Sequence, residues 1–579
     1  MEEGARVPLT DQASYSSPTK ECDLVMKGGI TSGIIYPLAV CRLATVHRLR
    51  QIGGTSAGAI AAACAAAAEY GRQAGGFVKL AALPKWLAEP ASSPGRGSNL
   101  RSQFQPAAAT RKPFSVIMAL VERGTKPAKI TRLGGRALVA YPIAGLAGAL
   151  PGLVLAALSL VLGGGAAVPA VVAGLALAGV GLVVGLAVGG VVHALRVLPD
   201  NGFGLCPGSP GLTDWLAAQI NDLAGLDGGR PLTFGDLAAR GIQLRMLTTS
   251  VTHGMPHRLP FEDRQFLYDS QRLRQLFPKY VVDHMDTYAE PPSSPVRAPA
   301  GVQLRHLPNV EQLPVVVGVR MSLSFPLLLS AVPLWAVDYG GTDQAEPVWF
   351  SDGGITSNFP VHFFDALLPT RPTFAINLGP GEHLDPTDQR QNIVVPTRAV
   401  SGILPRWTHI NGVVDFGRAI LDTMQNWSDN NQARMPGYRD RIISVLHTKD
   451  EGGLNLDMEP GTITDLSARG ETAAIEFLHF DLAQHRWTRY RSSMAVLERT
   501  TAAYLKSYNT VVDGILSYSD MIDDPPRSYS SDWTRPKAAF ARARTMGLLG
   551  VAEAWPDQTH SFAKDEPSPA PILRVTPDV

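Results

Sequence analysis

An excess of charge of either sign is the first thing this sequence lacks. Its 579 residues carry 52 Lys and Arg against 51 Asp and Glu, a formal net charge of +1, and only 18% are charged. That balance gives no electrostatic ground for nucleic-acid binding. Cysteine is scarce: Cys22, Cys41, Cys64 and Cys206 stand alone, with neither a metal-ligand spacing nor a disulfide framework, and read as buried thiols. No metal or cofactor is therefore expected. Residues 1–20 contain no hydrophobic export core and read as a flexible arm. No tandem repeat appears at solenoid periods. The sharpest absence lies within the chain, where residues 137–192 contain no Asp, Glu, Lys or Arg.

A helix crosses a bilayer in about 20 residues, so this uncharged run is long enough for two crossings. The break falls near Gly163, Gly164 and Gly165, with Pro169 just inside the second segment. Gly148 and Gly152 on the first segment, and Gly181, Gly185 and Gly189 on the second, recur every four residues. That spacing puts small residues on one face of each helix, as close helix contact in lipid requires. Arg123, Lys126, Lys129, Arg132 and Arg136 precede the first span and Arg196 follows the second. By the positive-inside rule both ends of the hairpin, and both halves of the domain it interrupts, face the cytoplasm. A soluble Gly/Ala-rich helical pair buried in the protein or in a homo-oligomer interface is the alternative.

What the chain does contain is a serine between glycines. Gly54-Thr55-Ser56-Ala57-Gly58 follows a short apolar stretch and precedes the alanine-rich residues 59–68, reading as strand, sharp turn and helix. Such a turn exposes the Ser56 hydroxyl at a strained tip, above the free N–H groups of the following helix. Upstream, the buried-strand pattern Cys22-Asp23-Leu24-Val25-Met26 runs into Lys27-Gly28-Gly29-Ile30-Thr31-Ser32-Gly33. Paired glycines there allow backbone amides to approach a developing oxyanion. Downstream, a strand-like Pro347-Val348-Trp349-Phe350-Ser351 ends on Asp352-Gly353-Gly354. A second Asp-Gly-Gly at Asp227 leads into Arg230-Pro231 and reads as a turn, which leaves Asp352 as the carboxylate at a strand end. His253, His257 and His362 are the histidines that a triad would draw on, and each reads as a surface or hairpin residue.

These pieces, taken in order with Arg320-Met321-Ser322-Leu323-Ser324-Phe325-Pro326 shortly before the aspartate, resemble the patatin-like phospholipases over residues 21–135 and 200–380. The resemblance implies an α/β fold, a three-layer α/β/α sandwich, with a Ser–Asp dyad in place of a triad. It makes Ser56 the nucleophile within an elbow bounded by Gly54 and Gly58, and Asp352 its base on a loop with Gly353 and Gly354. The amides around Gly28, Gly29 and Ile30 become the oxyanion hole. The family's loop usually has three successive glycines and a basic residue before the last one; here Ile30 and Ser32 occupy those positions. The implied activity is hydrolysis of membrane phospholipid or other acyl-ester lipids, beside the bilayer of a bacterial inner membrane. An acyltransferase using the same dyad, and a non-catalytic membrane scaffold with a decayed hydrolase domain, remain open. So does a regulated effector that degrades membranes, which rests on the resemblance alone.

The chain accordingly divides into an arm (1–20), a catalytic domain in two parts (21–135 and 199–380), the inserted transmembrane hairpin (136–198), a mainly helical C-terminal region (381–520) and a loosely ordered tail (521–579). Residues 244–250, 315–320 and 374–378 read as strands of the catalytic sheet. Residues 413–427, 465–480 and 487–515 read as amphipathic helices.

Overall fold

The computed structural model describes residues 7–29, 32–91, 97–122, 124–163, 167–292, 296–341, 344–381, 384–385, 387–396, 409–448, 451–452, 455–456, 458–525, 533–555, 559–571 and 573. Eleven strands form the main sheet: β1 Lys20–Met26, β2 His47–Gly54, β3 Gln243–Ser250, β4 Met255–Leu259, β5 Leu267–Asp269, β6 Leu304–His306, β7 Val332–Val337, β8 Ala345–Asp352, β9 Thr373–Pro380, β10 Ile393–Val394 and β11 Ile442–His447. Their lateral order is β10-β11-β9-β1-β2-β3-β8-β7-β5-β6, with β4 paired to β3. The centre, β11 to β3, is parallel, and β8 joins it antiparallel to β3. The fold is thus α/β, as expected.

Alternation along β1 separates two cores. Leu24 and Met26 join the large core beneath helices, whereas Val25 joins a smaller one with Leu247, Ala375, Phe359, Phe363, Phe364 and Tyr438 on the opposite face. The large core is filled by the helices Tyr36–Ala44, Ala57–Tyr70 and Gly76–Ala88. Alanine predominates in the second of these, and its buried Ala59, Ala62, Ala63 and Ala66 let the helix lie close to the strands.

One expectation is corrected. Residues 315–320 form a helix, Val315–Ser322, that is buried throughout; a short apolar run buried on all sides carries no periodicity to separate strand from helix. The C-terminal region is mainly helical, as expected, and it also supplies β10 and β11 to the edge of the sheet. Within the described part of the arm, Tyr15 is fully buried, stacks on Phe77 and accepts a hydrogen bond from Arg72 at its carbonyl. The tail contains a 20-residue helix, Arg535–Ala554, which buries Leu549 and Ala552. Its alanine and arginine content favours helix despite the surrounding prolines.

The uncharged run folds into two helices long and apolar enough to cross a bilayer, Pro142–Leu162 and Ala167–Val197. They pack backbone to backbone. A methyl group at Gly148 would run into the Gly181 carbonyl, one at Gly181 into the Gly148 carbonyl, and one at Gly185 into the Ala144 carbonyl. Away from that seam Ile143, Val161 and Leu162 are at least 80% exposed. Of the basic flank, Arg123 lies outside the described residues, as do Gly164 and Gly165 at the hairpin tip; Arg132 and Arg136 pair with the buried Glu122, which Arg101 also contacts.

Candidate active site

The strands β1, β2 and β8 end at one place. β2 stops at Gly54, and the helix Ala57–Tyr70 begins immediately after Ser56, which adopts φ +55° and ψ −129°. A left-handed φ at a residue with a side chain costs on the order of 1–3 kcal/mol, and here tight glycine packing enforces it. A side chain at Gly54 would meet the Gly58 carbonyl, and one at Gly58 would meet the Met26 carbonyl, so the elbow closes only with hydrogen at both positions.

β8 delivers Asp352 to the same point. Ser56 Oγ donates to Asp352 Oδ2 at 2.7 Å, across 296 positions of sequence, and the two side chains belong to residues only 4% and 3% exposed. Asp352 Oδ1 accepts from the Gly354 N–H at 2.7 Å. Burial pushes the Asp352 carboxyl up to about 7, against the lowering effect of the Ser56 and Gly354 hydrogen bonds. Among the described residues no histidine hydrogen-bonds to either member of the pair. His257 packs its ring on Phe266 and Phe350, and His362 Nδ1 lies 3.2 Å from Gln432 Oε1. Asp227 sits in an open turn, its carbonyl accepting from Gly229.

The glycine loop after β1 lies directly over the serine. A methyl at Gly28 would crowd Ser56 Cβ at 3.0 Å and the Thr55 carbonyl at 2.9 Å. The Gly28 N–H, expected among the oxyanion donors, instead donates to the Asn358 carbonyl at 2.9 Å, so this amide braces the loop. Gly29 accepts from the Gly33 N–H at its carbonyl. Ile30 lies outside the described residues. Tyr36 Oη ties the start of the loop by donating to the Lys27 carbonyl at 2.5 Å.

Residues without an assigned role in the sequence complete the frame. The Ser56 N–H donates to Ser322 Oγ at 3.2 Å, and the Asp352 N–H donates to the Ser324 carbonyl at 3.0 Å. Arg320, fully buried, donates to Ser324 Oγ and to the Pro207 and Ser330 carbonyls, and burial pushes its guanidinium down to about 10. The 320–326 motif marked this segment, but nothing in its spacing says which atoms reach the site. Asn358 and Asp429 form a second brace, to which no local pattern points.

Beside Ser56 opens an apolar cavity of about 90 Å³, lined by Ile34, Ala57, Ile60, Leu80, Leu323 and Phe325 among others. The four cysteines are free and buried, as read from the sequence.

A mixed sheet with a serine elbow and an aspartate at the end of a strand two places along defines a patatin-type domain, and the family comparison agrees. Residues 24–136 match the family model described as "Patatin-like phospholipase". The chain is 34% identical over 651 residues, covering 97% of this chain and 99% of the other, to the "RpoH suppressor" of Rhizobium meliloti (strain 1021). A solved structure, VipD from Legionella pneumophila, aligns with 95% of this chain and 89% of its own at 14% identity and a TM-score of 0.27. The protein belongs to the patatin-like phospholipase family, a family of lipid hydrolases.

Proposed function

We propose that this protein is a membrane-tethered lipid acyl hydrolase that cleaves carboxylic esters of membrane phospholipids or similar acyl-ester lipids through Ser56 and Asp352. The observation that carries this reading is the 2.7 Å hydrogen bond from a strained, buried serine hydroxyl to a carboxylate whose basicity burial has raised. Asp352 accepts the Ser56 proton as Oγ attacks the ester carbonyl. The carbonyl oxygen takes up the negative charge, held by the amides of Gly29 and Ile30, while Gly28 keeps the loop in place. Collapse of the tetrahedral intermediate expels the alcohol, which takes the proton from Asp352. Water, deprotonated by Asp352, then attacks the acyl-Ser56 ester; collapse expels Ser56 Oγ, which takes that proton back from Asp352, and the fatty acid is released. The adjoining cavity, lined by aliphatic and aromatic side chains, suits the acyl chain.

The two long apolar helices would span the bilayer with both ends, next to Lys126, Lys129, Arg132, Arg136 and Arg196, on the cytoplasmic side of a bacterial inner membrane. Substrate then lies beside the domain that consumes it.

The test compares wild type, Ser56→Ala and Asp352→Asn on mixed native lipids, with products read by mass spectrometry. Free fatty acid should appear with wild type and fall by at least about 100-fold in both variants. Equal release by all three removes the catalytic assignment. Acyl groups moved onto another lipid would make the protein a transferase, and no turnover by wild type would favour a scaffold.

A further inference from the structure

Asp429 is a buried carboxylate that the acyl-transfer chemistry does not use. It lies on the helix Val413–Ala433, far along the chain from the residues matched by the family model, and is 3% exposed. Three donors from one loop surround it: Ser357 Oγ reaches Oδ1 at 2.7 Å, and the N–H groups of Asn358 and Phe359 both reach Oδ2 at 2.8 Å. Burial pushes its carboxyl up, against the lowering effect of these donors and of the Lys27 charge at the start of the glycine loop. A carboxylate removed from water is costly unless donors of this kind replace its hydration, so the contact is specific to this loop conformation.

The held loop is the one that joins the two halves of the site. It begins five residues after Asp352, and Asn358 at its centre accepts the Gly28 N–H at its carbonyl while its side-chain Nδ2 faces the Gly28 carbonyl at 3.4 Å. Asn358 Oδ1 also lies where a methyl on Gly354 would need to be, beside the amide that orients Asp352. A shift of Asn358 therefore moves the glycine loop and the aspartate loop together.

We propose that Asp429 is a positioning residue of the Ser56–Asp352 site, fixing residues 357–359 so that Asn358 holds the glycine loop over the nucleophile. This rests on the acyl-hydrolase reading for its kinetic consequence, but the bracing itself does not depend on turnover.

The experiment uses the full-length protein in detergent micelles, with a short water-soluble ester as substrate and amide hydrogen exchange as the second readout. Asp429→Ala should lower kcat about 10- to 100-fold, because misplacing a reacting group by about 1 Å costs that much, with KM within about 2-fold. Peptides covering 353–360 and 27–29 should lose exchange protection together. Asp429→Asn should restore kcat to within about 3-fold, since its carboxamide oxygen can accept the two backbone N–H groups while its NH2 donates to Ser357 Oγ. Ser357→Ala, which removes one donor and leaves the fold's other contacts intact, should give an intermediate loss. Should Asp429→Ala fail to fold, Ser357→Ala and Asp429→Asn decide alone: wild-type kcat and wild-type protection in Ser357→Ala overturn the proposal. So does unchanged protection at 27–29 in a folded Asp429→Ala. A wild type without Ser56-dependent turnover sinks the hydrolase reading only, and the exchange data still decide the bracing.

Discussion

If Asp352 is the general base, its ionisation should govern the rate between pH 5 and 8. Burial holds the carboxyl at about 7, well above its ordinary 3.8. Only the ionised form accepts the Ser56 proton, so kcat/KM should fall about tenfold per pH unit below 7 and reach about 1% of its plateau at pH 5. Asp352→Asn should lie about 10²- to 10⁴-fold below wild type at pH 8 and show no such limb. Stability should move the other way. A carboxyl raised from about 3.9 in the unfolded chain to about 7 favours its neutral form in the folded state. The stability tied to that neutral form is complete below about pH 4 and is lost as pH rises through 7, amounting to at most about 4 kcal/mol for three units. Asparagine cannot ionise and escapes this loss. Asp352→Asn should therefore be inactive yet unfold at a higher temperature than wild type at pH 8, with the gap closing toward pH 4. The assay is a pH series of initial rates on a soluble ester, paired with thermal melts of both proteins in the same buffers. A wild-type rate that stays level down to pH 5, or an Asp352→Asn protein less stable than wild type at pH 8, would refute the assignment of that buried carboxylate as the base.

Two further outcomes are expected. Arg320→Ala leaves the Pro207 and Ser330 carbonyls and Ser324 Oγ without their buried cationic donor; at about 1.5–3 kcal/mol for each hydrogen bond to a charged group, a loss of at least about 3 kcal/mol should appear as a lowered melting temperature. Replacing residues 142–197 by a short polar linker should release the protein from the membrane pellet on alkaline extraction, and retention there would contradict the spanning reading.

The parts of the site that could be read in the sequence are those whose constraint is local. An elbow that forces φ +55° on Ser56 needs glycine at 54 and 58, because the backbone of one runs against the other or against β1, and that need is written within five residues. The Asp-Gly-Gly at the end of β8 is similar: a side chain at Gly353 would strike the Leu247 carbonyl of β3. The membrane-length helices were legible for the same reason, since absence of charge and a four-residue glycine repeat are properties of one segment. Strand and helix were confused only where burial erased periodicity, at Val315–Ser322, and the run that became β11 carried no signal that it would join a sheet begun four hundred residues earlier.

The brace residues were illegible for a different reason. Ser322, Asn358 and Asp429 act through hydrogen bonds to groups that arrive from distant segments, and serine, asparagine and aspartate are common in turns and on solvated helix faces. Their role depends on which segment arrives, and only the assembled sheet decides that. The same dependence explains Gly28. A glycine pair after a strand suggests amides free for an oxyanion, yet whether one is free depends on the Asn358 carbonyl, which closes on it from the far side of the aspartate loop. A dyad lacks the third residue that orients the base in a triad. In the proposed dyad that orienting work would be spread over backbone contacts, with Gly354 on Asp352, Ser324 behind it and Asn358 across the glycine loop, and these contacts converge on Arg320 and Asp429, two charged groups buried away from the Ser56 hydroxyl.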